Sequence, residues 1–114
     1  MEYKGEDFYV DFPESGNTVE FNGTIRLRDK SEYQVISDIL DKALEMVSPT
    51  LILDMKELSY LNSSGINMFS KFIIAAKHKN TCAVEILGSS TISWQQKSLK
   101  NLQRIWPEVK IEIQ

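Results

Sequence analysis

Apolar residues fall at every second position in two stretches near the N-terminus. Phe8, Val10 and Phe12 form the first, and Val19, Phe21, Ile25 and Leu27 the second, with a segment containing Pro13, Gly16 and Asn17 between them. A period of two marks a half-buried strand, and the intervening residues are turn formers, so two strands joined by a turn are predicted. Gly23 stands in the second strand where a side chain is expected, which signals a bulge or a close backbone approach. The spacing then changes. Ile36, Ile39, Leu40, Ala43, Leu44 and Val47 recur at helical intervals. Ser31 followed by Gln34 has the form of a capping box at the start of this helix. Ser48-Pro49 stops it, because the residue before a proline avoids the α region.

"TLILDM", Thr50 to Met55, is an apolar run too short for a helix. Such a run reads as a strand buried on both faces at the centre of a parallel sheet covered by helices. Ile66, Phe69, Phe72, Ile73 and Ala76 then form one broad stripe, predicting a helix from Ser64 to about Lys79 that lies on the sheet. "TCAVEIL" is the next strand. Ser90 or Thr91 caps a third helix with Ile92, Leu99, Leu102 and Trp106 near one face, ended by Pro107. Val109, Ile111 and Ile113 alternate with polar residues in a last, half-solvated strand. The order β-β-α-β-α-β-α-β predicts an α/β fold, a mostly parallel mixed sheet with an N-terminal hairpin. The junctions after Met55 and Leu87 then lie at the carboxyl edge of the sheet, where such domains place function.

Composition narrows the classes. A chain of 114 residues, 42% hydrophobic and 25% charged, is expected to form one domain over residues 1–114 with a core of its own. The net charge of −3 is spread in mixed sign, without the basic patch that nucleic acid requires. No apolar run approaches the roughly 20 residues of a membrane span, and "MEYKGEDFYV" lacks the form of a signal peptide, so a cytoplasmic location is expected. The lone Cys82 fits that compartment as a small apolar strand residue. With one cysteine and one histidine, neither a zinc site nor any other metal or cofactor is expected.

The chemistry-bearing stretch is "LSYLNSSGINMF", Leu58 to Phe69, where two hydroxyls sit side by side at a strand-to-helix junction. A serine nucleophile needs a base. The only histidine, His78, is fourteen residues beyond Ser64 on the same helix, roughly 21 Å along the axis. The Gly-x-Ser-x-Gly elbow is also absent, since Leu61 and Asn62 precede the serines. A small serine hydrolase is thus the weakest reading, and no enzyme activity is expected. Asn and Ser are favoured helix caps, and a cap of about 1 kcal/mol explains one of these side chains. If Asn62 or Ser63 serves as cap, Ser64 remains in the first turn near the positive helix end, and Gly65 leaves room for an approaching group. That suits a covalent phosphate.

"LILDMKELSYLNSSGINMF" resembles the signature of the STAS family, the sulphate transporter and anti-sigma-factor antagonist domains. In that family a buried strand ending in Asp leads through a short loop to Asp-Ser-Ser-Gly or Asp-Ser-Thr-Gly at a helix start. Asp54 matches the strand acid, Leu58 and Tyr60-Leu61 the apolar loop positions, and Ser63-Ser64-Gly65 the core of the motif. The resemblance implies partner switching. A serine kinase with anti-sigma activity would phosphorylate Ser64, with Ser63 the alternative, and a phosphatase would reset it. The unmodified form would hold a partner and the phosphorylated form release it, with Asn62, Ser63 and Gly65 shaping the switch loop.

Two positions depart from the family pattern. The acid before the serines is Asn62, and Gly-x-hydrophobic-Asp reads Gly23-Thr24-Ile25-Arg26. Both changes remove negative charge and bear on kinase recognition. Arg26 is open to two readings, a phosphate partner or a solvated strand residue. Asn67, Lys71 and Ile74 adjoin the serines on the polar side of their helix and form the expected partner surface, although one exposed isoleucine is ordinary. Trp94 sits off the stripe of its helix and is either an interface residue or a cover for the core margin. A STAS module that binds constitutively and is never phosphorylated stays open as the alternative.

Overall fold

Strand order decides where the helices go. The computed structural model describes all 114 residues and contains β1 (Glu2–Lys4), β2 (Phe8–Asp11), β3 (Thr18–Ile25), α1 (Lys30–Met46), β4 (Thr50–Leu61), α2 (Ser63–Lys79), β5 (Ala83–Gly88), α3 (Gln95–Ile105) and β6 (Lys110–Ile113). The six strands form one sheet in chain order. β1, β2 and β3 pair antiparallel, whereas β3, β4, β5 and β6 pair parallel. All three parallel steps advance in the same direction, and crossovers of this kind share one hand, so all three helices fall on one face. α1 packs on α2, and α2 on α3.

The mixed α/β class is as expected, with three corrections to the detail. A further strand, β1, precedes the predicted hairpin and pairs with β2 at the sheet edge. The central strand is covered on one face only: Leu51, Leu53 and Met55 are fully buried beneath the helices, while Ile52 and Asp54 are half-buried on the open face. Each fully buried side chain of this kind contributes about 1.5–3 kcal/mol relative to exposure. The strand also runs on to Leu61, so the segment that the family pattern presents as a loop is paired with β3 through Ile25↔Leu61.

β4 manages that length by bulging. Its register against β3 shifts between Glu20 and Asn22 and again between Gly23 and Thr24. At the first shift Asp54 Oδ1 accepts from Lys56 N at 3.0 Å and holds the extra residue. At the second, Gly23 has φ +90°, and a Cβ there would meet Phe8 Cα at 3.1 Å. The close approach signalled by Gly23 is therefore real, and its conformation is one that side chains resist.

The helix starts depart from the sequence reading. Ser31 lies inside α1, because Asp29 takes the cap position in extended conformation, and Gln34 Nε2 donates to Asp38 Oδ1 at 2.9 Å instead of reaching back. α3 begins at Gln95, later than a cap at Ser90 or Thr91 requires. The intervening residues form a turn in which Thr91 N donates to Ser89 Oγ at 3.2 Å. What holds that turn is Gln95. Its side chain is fully buried; Oε1 accepts from Ser89 N at 2.7 Å, and Nε2 donates to Met55 O at 2.6 Å and Leu58 O at 3.0 Å. The β5 ladder ends at Asp54↔Leu87, so beyond it Gln95 supplies the donor that a neighbouring strand otherwise gives.

Candidate partner-binding and modification site

The serines lie where β4 ends and α2 begins, at the carboxyl edge of the sheet. Asn62 is the cap of α2: its Oδ1 accepts from Gly65 N at 2.9 Å. The same side chain donates through Nδ2 to Leu27 O at 3.0 Å, and its Oδ1 also accepts from the Tyr33 hydroxyl. Leu27 N in turn donates to that hydroxyl at 3.3 Å. Asn62 thus ties the β3–α1 connection to the start of α2. Burial pushes the Tyr33 phenol above its usual pKa, against the opposing effect of its bonds to Leu27 and Asn62, so the hydroxyl stays a donor.

This network gives asparagine at position 62, where the STAS pattern has an acid, a physical reason. An aspartate has acceptors only and would face the Leu27 carbonyl oxygen with a second oxygen, whereas asparagine presents an acceptor to Gly65 and Tyr33 and a donor to Leu27.

With the cap supplied by Asn62, the hydroxyls of Ser63 and Ser64 are exposed in the first turn of α2 and make no hydrogen bond within the protein. Gly65 has a different role from the one its position suggests. It is buried, and a Cβ there would stand 2.9 Å from Leu61 Cγ and 3.0 Å from the Tyr33 hydroxyl, so the space beside it is filled by the protein itself. His78 is exposed in the last turn of α2, and no basic side chain is bonded to either serine. No group of three His, Cys, Asp or Glu side chains is placed to hold a metal ion.

The residues proposed around the serines divide between the two flanks of α2. Ser64, Asn67 and Lys71 line a groove of about 470 Å³ between α1 and α2. Ile74 is exposed one turn beyond Lys71. Trp94 lies on the other flank, with Ile66 and Phe69. It is half-buried, and its ring N–H is spent on Leu58 O at 3.3 Å and Ser59 O at 3.1 Å. Arg26 is exposed at the end of β3 and does not line the groove; Arg28 and Lys30 do. Alternation carries this outcome: Ile25 is buried and Leu27 half-buried, so Arg26 and Arg28 both point outward, and only the chain's turn into α1 brings the second to the groove. The sequence reading passed over Arg28 and Lys30 because they fall just before α1 and at its first residue, 36 and 34 residues from Ser64.

No protein-family model matches this chain, and no curated protein matches it in sequence. In structure it is similar to SiaC of Pseudomonas aeruginosa. The crystal structure of apo-SiaC superposes with a TM-score of 0.73 at 14% identity, covering 100% of this chain and 97% of that one. A second SiaC structure gives 0.73 at 14%, covering 100% and 96%. A chain in the crystal structure of the diguanylate cyclase SiaD in complex with its activator SiaC gives 0.75 at 13%, covering 100% and 99%. At such identity the likeness is one of fold. No helix of this chain is long and apolar enough to cross a membrane.

Proposed function

We propose that this chain is a STAS-type regulatory module, one domain over residues 1–114, that binds a protein partner at the start of α2 and is switched by phosphorylation of Ser64. Ser63 is the second acceptor. The observation that carries the reading is the division of labour at the helix start: Asn62 satisfies the cap alone, so both hydroxyls are free and exposed beside amide donors. A phosphate there gains only about 0.3–1 kcal/mol from the helix dipole, too little to reshape the fold. Pressed against a partner, its charge of about −2 costs several times more through desolvation and like-charge contact. Release without refolding is the consequence.

The likeness to SiaC, described as the activator of a diguanylate cyclase, supports a binding role over a catalytic one. On this reading a signalling enzyme stands beside an anti-sigma factor as the kind of target such a module takes. A serine kinase and a phosphatase, acting in the cytoplasm, complete the circuit.

The test is chemical. Protein isolated from its own cells carries a single phosphate in the α2 start peptide by mass spectrometry, and Ser64→Ala removes it. Protein made with phosphoserine at position 64 melts within about 1 °C of the unmodified form and loses the partner that the unmodified form co-purifies. Equal co-purification by both forms overturns the switch and leaves a constitutive module.

A further inference from the structure

The groove beside Ser64 differs in charge from the chain as a whole. The chain as a whole carries a net −3, yet Arg28, Lys30 and Lys71 line this groove against a single acid, Asp41. None of the three cations is paired, since the one ion pair of the structure joins Lys56 and Asp54 at 3.9 Å on the open sheet face. Partial burial, reinforced by Asp38, pushes the Asp41 carboxyl above its usual range.

The charges are also ordered along the groove. α1 and α2 both run antiparallel to the parallel strands they connect, and therefore parallel to each other, with both N-termini at the carboxyl edge of the sheet. Arg28, Lys30 and Ser64 share that end, where two helix dipoles add positive potential. Lys71 stands seven residues along α2, about 10 Å, and Asp41 eleven residues beyond Lys30, about 16 Å. Between them Met68 and Phe72 give an apolar floor at helical spacing. A groove of that length, apolar at its floor and cationic at its rim, has the form that takes one face of an amphipathic helix.

We propose that the α1/α2 groove docks an acidic amphipathic helix of the partner protein, with its apolar side chains on Met68 and Phe72 and its carboxylates on Arg28, Lys30 and Lys71. The assignment deepens the reading of Ser64 given above and rests on it for the switch. Three cations and one acid leave two net positive charges, and a phosphate on Ser64 brings about two negative ones to the same end. Phosphorylation then removes the field that attracts the partner, besides adding bulk.

Panning a phage-displayed library of random 20-residue peptides on the intact protein tests the chemistry without knowledge of the partner. The expected winners carry net negative charge with apolar residues at i, i+3, i+4 and i+7. Their binding falls at least tenfold in the exposed-site variant Arg28→Glu/Lys71→Glu, whose circular dichroism matches wild type, and weakens with added salt. Winners with no acidic bias, or acidic winners that bind the double variant as tightly as wild type, overturn the assignment. The same peptides titrated onto Ser64→Asp separate the two readings: weaker binding supports groove and switch together, and undiminished binding upholds the groove while removing the switch.

Discussion

The Tyr33 hydroxyl donates to Asn62 Oδ1, joining the first turn of α1 to the cap of α2 across 29 residues of chain. Because Asn62 also holds Gly65 N and Leu27 O, one amide group fixes the orientation of the two helices that wall the groove.

Asn62→Asp replaces the donor to Leu27 O by an acceptor and leaves that carbonyl facing like polarity. A loss of about 1–3 kcal/mol in urea unfolding is expected. Tyr33→Phe, which removes one hydroxyl, costs about 1 kcal/mol. A stability for Asn62→Asp equal to wild type would show that the cap alone matters.

Gln95→Met keeps the length of the side chain and removes its donor. The carbonyls of Met55 and Leu58, both served by Gln95 Nε2, then lose that partner inside the protein. Leu58 O retains Trp94, whereas Gln95 is the one side chain that donates to Met55 O. The expected cost is about 2–3 kcal/mol by denaturant or thermal unfolding, with the β5–α3 turn the first region to exchange its amide hydrogens.

Across the open face, Glu2 stands opposite Asp11, Asp11 opposite Glu20, and Glu20 opposite Asp54. Like charges paired directly across strands destabilise by a few tenths of a kcal/mol to about 1 kcal/mol. Glu20→Lys converts two such pairs to attractive ones and is expected to raise the melting temperature. The gain shrinks at high ionic strength, where exposed charges are screened. A gain that is independent of salt would point away from electrostatics.

Tyr9 lies on the same face and donates to Glu2 Oε2 at 2.6 Å. That bond, with desolvation and the charges of Asp11, Glu2 and Glu20, raises its pKa from 10.0 to about 12. A raised phenol pKa favours the folded chain while the proton is bound. The contribution is whole below pH 10 and is lost as pH rises through 12. Ultraviolet titration, with Tyr9→Phe as the difference control, reads the phenolate midpoint, which Glu2→Gln moves down toward the ordinary value.

Several features were open to reading without coordinates. The period-two stretches became β2, β3 and β6, the 3.6-residue stripes became α1 and α2, and Trp106 is buried in phase with Leu99 and Leu102. The two serines were legible as the exposed hydroxyls of a helix start. Gln95 was not, because a glutamine followed by Gln96 and Lys97 has the pattern of a solvated helix end, and nothing local signals bare carbonyls at Met55 and Leu58. The cap of α1 was misplaced for a related reason: Ser31 and Gln34 satisfy a local rule, but Asp29 takes the cap because the chain leaves β3 in extended form and turns there.

Periodicity is written residue by residue, since each side chain's transfer free energy depends on its own chemistry, and so the sequence by itself determined the elements from β2 onward and the faces that α1, α2, β2, β3 and β6 bury, though not β1 or the open face of β4. Polar partnerships depend on where distant segments arrive. Only the tertiary structure decided that Asn62 meets Tyr33 and Leu27, that Gly65 is filled in by Leu61, and that Arg28 and Lys30 join Lys71 around one groove. Hydrogen bonds and ion contacts act over a few ångströms, and the chain brings such groups together only after the sheet has set the helices side by side.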